Sequence, residues 1–202
     1  SRDLLRSNKE LLQLQINRNG TLLTEEVKTV KLETMYSMNQ TAKPSWKIVD
    51  DQIGYLYPGS LKRGEIFEIT KKLEKCKGLI VDMRCYPSDF IVFSLSAQLM
   101  PAPIEFVKFT QTKNEFPGIF IFNNYLKVGQ NNPDYFKGKV VIIVNETTVS
   151  QAEYTTMALR KAPRAVVIGS TTAGADGNVS QFYLPGGIKT MISGIGVYYP
   201  DG

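Results

Sequence analysis

From Lys139 to Leu159 the chain reads KVVIIVNETTVSQAEYTTMAL, and no other stretch constrains the fold as tightly. The β-branched run from Val140 to Ile143, extended by Val144, has the unbroken apolarity of a strand covered on both faces, as in a parallel sheet. Asn145 and the polar turn Glu146-Thr147-Thr148 end it. Ser150 then opens a run with helical spacing, in which Ala152, Met157, Ala158 and Leu159 sit among good helix formers. A serine placed where a buried strand gives way to a helix has two readings. It is an N-cap, a duty serine performs very often. Or it is an acyl-transfer nucleophile, because the unpaired amides and positive dipole end of the helix favour negative charge there.

A chain of 202 residues has room for one full domain and part of another. At 43% hydrophobic and 21% charged residues it is an ordinary globular composition, with no apolar run long enough to span a bilayer. No segment resembles a signal peptide, and the chain stops at Tyr199-Pro200-Asp201-Gly202, a turn that leads into further structure. Both ends are therefore expected to be cuts in a longer protein. The net charge of +5 is spread along the chain. Lys71, Lys72, Lys75 and Lys77 accompany Glu68 and Glu74, which reads as a solvated helix face with no nucleic-acid partner. Cys76 and Cys85 flank an expected strand rising about 3.3 Å per residue, which carries them past the ~7 Å limit for a disulfide. Two free thiols are expected. With no histidine and no CxxC pair, no metal site and no cofactor are expected either.

Residues 1–36 read as the end of a small β-rich domain. A helical start over 1–8 precedes a strand over 11–17, an Asn19-Gly20 hairpin turn and a strand over 27–32. Residues 37–45 form a polar linker. From Trp46 onward strands and helices alternate, and the class is α/β. A strand or hairpin is expected over 46–57, a helix over 62–75 and a buried strand over 79–82. After the turn 84–89 come a helix over 90–100, strands over 104–110 and 119–126, then the opening stretch. A strand over 165–168 leads to the Gly-rich loop 169–180 and to short strands turning at Pro185-Gly186-Gly187. Ligands of open α/β folds bind beyond the carboxyl ends of strands. Three loops have that placement: 84–89, the one carrying Ser150, and the Gly-rich loop.

These motifs resemble those of the tail-specific (carboxy-terminal processing) serine proteases. Leu79 to Ser88 (LIVDMRCYPS) is similar to the strand and turn that in the family typically reads Asp-Leu-Arg followed by Asn-Asn-Pro-Gly-Gly. Val141 to Glu153 resembles the nucleophile segment ending Ser-x-Ala-Glu, Ala165 to Gly174 the following strand and Thr-x-Gly loop, and Tyr198 to Gly202 the Tyr-x-Pro-Asp-Gly motif. The resemblance covers about residues 46–202 in order. It implies a crotonase/ClpP-like spiral α/β core, preceded in residues 1–36 by a partial β-rich PDZ segment. It makes Ser150 the catalytic nucleophile and the backbone amides of Ser88 and Gln151 the oxyanion donors. Position 88 is normally Gly in the family. Glu153, in the first helical turn, reads as structural, since a carboxylate is favourable there regardless of function. Asp176 in the Gly-rich loop is either an orienter of a base or substrate amine, or an ordinary turn aspartate.

The proton acceptor is missing. Bacterial processing enzymes use a lysine four residues before a glutamine; here Gln181 is preceded at that distance by Gly177. Lys161 lies eleven residues beyond Ser150 on the same helix, ~16 Å away at 1.5 Å per residue, and cannot serve. The tricorn-like branch draws a histidine from before the PDZ domain and a glutamate from the end of the core, which fits a chain cut at both ends. Three readings follow: a serine peptidase acting on peptides or protein tails, itself inactive as these 202 residues alone; a non-catalytic peptide-binding homologue; or another enzyme of the same architecture, such as an acyl-CoA hydratase. The resemblance also implies an exported protein, periplasmic or envelope-associated. Nothing in the residues fixes an oligomeric state.

Overall fold

The computed structural model describes residues 7–31, 43–113 and 115–202. The chain divides into two units, Ser1–Ala42 and Lys43–Gly202. In the first, β1 (Leu11–Arg18) and β2 (Thr21–Lys28) form an antiparallel hairpin in full register from Leu11↔Lys28 to Arg18↔Thr21. Asn19 and Gly20 both take positive φ, as a two-residue hairpin turn requires. The second strand therefore begins at Thr21, right after the turn, and not at Val27 as the alternation suggested. The helical start and most of the linker lie outside the described residues.

The second unit is built on a five-stranded sheet in the order β10-β9-β5-β4-β3. Strands β3 (Trp46–Val49) and β4 (Ile53–Leu56) make an antiparallel hairpin; β4, β5 (Gly78–Asp82), β9 (Lys139–Val144) and β10 (Ala165–Gly169) are parallel. The mixed α/β class is as expected. β5 and β9 bury Leu79, Val81, Val140 and Ile142 on one face, while Ile80, Val141 and Ile143 on the other are half-buried, so the apolar runs read in the sequence serve one buried and one half-covered face.

Among the described residues three α-helices connect the strands. The expected helix 62–75 is a 3₁₀ turn at Arg63–Glu65 followed by α1 (Ile66–Lys72), which buries Ile66 and Ile69. The expected helix 90–100 is α2 (Val92–Leu99), its buried Leu95 and Leu99 packed in the core, and α3 (Gln151–Leu159) lies against it. A second antiparallel sheet centres on β6 (Ile104–Thr112), which pairs with β7 (Phe120–Phe122), β8 (Leu126–Val128) and β13 (Val197–Tyr198). The single strand expected over 119–126 is thus two. Asn123 breaks it: its N–H donates to the Phe109 carbonyl (2.9 Å), and its Oδ1 accepts the Phe109 N–H (2.9 Å). β11 (Val179–Leu184) and β12 (Ile188–Ser193) form a separate hairpin. Cys76 is buried, Cys85 half-buried, and both are free thiols.

The ends of β5 and β9 are locked together. The Met83 N–H donates to the Ile143 carbonyl (2.9 Å), and the buried Thr148 hydroxyl donates to the Met83 carbonyl (2.9 Å) while accepting the Asn145 N–H (3.0 Å). Asp82, 1% exposed, accepts from the Tyr55 hydroxyl (2.7 Å) and from both Nε (2.8 Å) and Nη2 (2.9 Å) of Arg84. A charge that far from water persists only when paired in this way. Both loops that leave these strands start from fixed points.

Candidate functional site

Ser150 stands at the N-cap of α3, with φ 54° and ψ −119°. This lies outside the helical, extended and left-handed wells open to a side chain, and holding a serine there costs on the order of 1–3 kcal/mol. The surroundings impose it. The Ser150 N–H donates both to the Ala175 carbonyl (3.0 Å) and to Glu153 Oε2 (3.0 Å). Ser150 and Glu153 occupy the two places of a capping box, yet the Ser150 hydroxyl makes no capping hydrogen bond.

Glu153 fastens the Gly-rich loop to the helix. Its Oε1 accepts from the Thr172 hydroxyl (2.6 Å) and the Gly174 N–H (2.7 Å), and its Oε2 also accepts the Ala175 N–H (3.0 Å). Burial alone raises the carboxyl, but the hydrogen bonds from Thr172, Ala175, Ser150 and Gly174 outweigh it and hold Glu153 below the usual range. Its structural reading has a specific content: one carboxylate spans the serine turn and the loop facing it.

The two expected anion donors fare differently. The Gln151 N–H has no partner among the described residues, since the first-turn bonds are made by Ala152 to Val149 and Tyr154 to Ser150. The Gln151 side chain donates to the Asp89 carbonyl (2.7 Å), tying α3 to the 84–89 turn. The Ser88 amide already has a partner in this structure. It donates to the Pro58 carbonyl (2.9 Å), and the Ser88 hydroxyl donates to the Leu61 carbonyl (2.9 Å). The turn is folded onto the Pro58–Leu61 loop, and both Ser88 donors are consumed there.

Beside Ser150 opens a cleft of about 630 Å³, bordered by Gln151, Tyr86, Phe90, Phe109, Tyr154 and Asp176. Tyr154 is its aromatic centre, stacked on Phe90 (6.3 Å) and Phe109 (6.1 Å) and edge-on to Phe106 (5.1 Å). Burial, with Asp176 adding to it, pushes the Tyr154 hydroxyl up to about 12. Sequence reasoning passed over Tyr154, although a residue four beyond Ser150 lies on the same helix face. Phe109 and Asn123 come from a different sheet, and no local pattern linked them to the serine.

Asp176 is half-buried in the Gly-rich loop. Its Oδ1 accepts the Gly177 N–H (2.8 Å), while its Oδ2 is buried without a partner among the described residues. Burial first, then the Glu153 carboxylate, raises it above the usual carboxylate range. Among the described residues no lysine or arginine borders the cleft, and Lys161 is not one of its residues. No group of metal-ligating side chains occurs among the described residues.

The domain is thus a mainly parallel α/β sheet with a strained serine at a strand-to-helix turn. Solved structures share this fold. One is a protein from Parabacteroides merdae ATCC 43184 described as a candidate peptidase (TM-score 0.66, 20% identity, 85% of this chain and 58% of that one). Another is mature CPAF complexed with lactacystin (0.62, 13%, 98% and 61%), and a third the photosystem II D1 C-terminal processing protease (0.55, 17%, 74% and 38%). At these identities the likeness is one of fold, and the chain spans about three-fifths of the first two. No curated protein matches the chain. Residues 52–202 match the model of peptidase family S41, and the chain belongs to that family. No helix among the described residues is long and apolar enough to cross a membrane.

Proposed function

We propose that this chain is the core of a serine peptidase of the carboxy-terminal processing kind, with Ser150 as nucleophile. The observation that carries the reading is the Ser150 backbone, held at φ 54°, ψ −119° by Glu153 and Ala175 beside an aromatic cleft. Strain of that size at a polar residue is kept where function demands a particular direction for the side chain. The Ser150 oxygen attacks a peptide carbonyl, an Oγ–C bond forms, and the hydroxyl proton passes to a base. The C–N bond then breaks, the amine leaves with a proton, and water releases the acyl group. The Gln151 N–H takes one share of the anionic oxygen. On this reading Ser88 supplies the second share, at the expense of its hydrogen bond to Pro58.

No histidine occurs in these residues and no lysine borders the cleft, so we place the base in chain outside them, in the tricorn-like manner. Substrates on this reading are peptides or unfolded protein tails; residues 1–36 are the end of a peptide-binding PDZ-like domain, and export rests on the family likeness alone. A second reading, a non-catalytic peptide-binding homologue, draws on the Ser88 amide already occupied by Pro58. Peptide hydrolysis by the parent protein separates them. The first reading expects turnover abolished by Ser150→Ala and none from the 202-residue chain by itself. Absence of turnover in the parent protein favours the second.

A further inference from the structure

The cleft beside Ser150 has an uneven chemistry. Four of its walls are aromatic rings, Tyr86, Phe90, Phe109 and Tyr154, and its one carboxylate is Asp176. Among the described residues no cationic side chain borders it to neutralise that carboxylate. One oxygen of Asp176 is occupied by Gly177, and the other is buried with no donor among the described residues. Buried carboxylate oxygens nearly always have a partner, and an orphaned one costs more than a neutral acceptor in the same place. Asp176 thus stands in the cleft wall with no cationic side chain among the described lining residues to offset its charge.

We infer that the cleft seats a basic side chain of the bound peptide, lysine or arginine, with Asp176 as its counter-charge and the rings lining its aliphatic stem. Rings within about 6 Å of a cation attract it through their faces, and a lysine or arginine stem covers apolar surface while its head stays polar. A bound cation also relieves the like-charge pressure from Glu153 that raises Asp176. The inference rests on peptide binding at this cleft, as proposed above, and makes Asp176 a specificity-determining residue rather than a turn residue or an orienter of the base. An acidic residue in the same place meets a carboxylate and no cation, so it is rejected.

The test uses binding, which is separable from turnover. The parent protein carrying Ser150→Ala is titrated with fluorescent peptides that bear lysine, norleucine or glutamate at each position in turn. At one position lysine binds at least tenfold more tightly than norleucine, and glutamate binds most weakly. Asp176→Asn removes the lysine advantage at that position and leaves norleucine peptides within about twofold, a pattern that a general loss of structure cannot produce. Equal affinity for lysine and norleucine at every position in the Ser150→Ala protein overturns the inference, whether or not the wild type hydrolyses peptides. A lysine preference that survives Asp176→Asn also overturns it. Should the preference hold while no peptide is cleaved, the specificity stands and only the peptidase reading falls.

Discussion

Glu153→Gln is the perturbation whose size follows most directly from the geometry. The carboxylate accepts four hydrogen bonds, two on each oxygen, from Ser150, Thr172, Gly174 and Ala175. An amide keeps one acceptor and turns the other into a donor; placed towards Thr172 it still finds that hydroxyl as an acceptor, so at least one bond is lost and the remaining ones lose their charge assistance. Hydrogen bonds to a charged group are worth about 1.5–3 kcal/mol each, and the partial exposure of Glu153 puts the total at the low end, about 3 kcal/mol. For a domain of this size that is a fall in Tm of roughly 6–12 °C. Because the folded carboxyl is held below its ordinary value of 4.5, its contribution is complete above that pH and is lost as the pH falls beneath it. The gap between wild type and variant, followed by circular dichroism melts from pH 7 to pH 3, should therefore narrow in acid. A Tm within about 2 °C of wild type at pH 7 (or a gap that widens in acid) would refute the clamp.

Three further outcomes are expected. Thr148→Val leaves the Met83 carbonyl and the Asn145 N–H without partners, and urea unfolding should report a loss of about 2–4 kcal/mol. Gly169→Ala should be at least as damaging: Gly169 sits at φ 123°, and a Cβ there meets the Val144 carbonyl oxygen at 1.9 Å. The β9–β10 pairing must yield, which calorimetry should read as a loss of roughly 2–4 kcal/mol. Ser150→Gly should melt above Ser150→Ala by the equivalent of about 1 kcal/mol, because glycine accepts the positive φ that alanine resists. Equal melting temperatures for those two variants contradict a strained turn.

The parallel strands were legible because β5 and β9 bury one face and half-cover the other, so apolar residues occupy both. Val140–Val144 and Leu79–Asp82 show it plainly, and the strand-turn-helix order around Ser150 followed from them. Helix ends were less so. Lys62 to Glu65 carries a helix-like pattern but winds as a 3₁₀ turn, a distinction of one hydrogen-bond register that composition does not encode. The split of 119–126 was hidden because Asn123 is captured by Phe109, a partner fourteen residues away on another strand. The site was legible to the same degree. Ser150, Gln151 and Glu153 belong to one helix start and could be read together. The engagement of Ser88 by Pro58 and the orphaned oxygen of Asp176 are tertiary facts, set by how separate loops meet.

The central claim is that Ser150 is a nucleophile in the assembled enzyme. Incubating the parent protein with a fluorophosphonate and mapping the adduct by peptide mass spectrometry tests it most directly. We predict one adduct, on Ser150, absent in Ser150→Ala. An unlabelled Ser150 in a protein that cleaves peptides, or labelling at another serine, would contradict it.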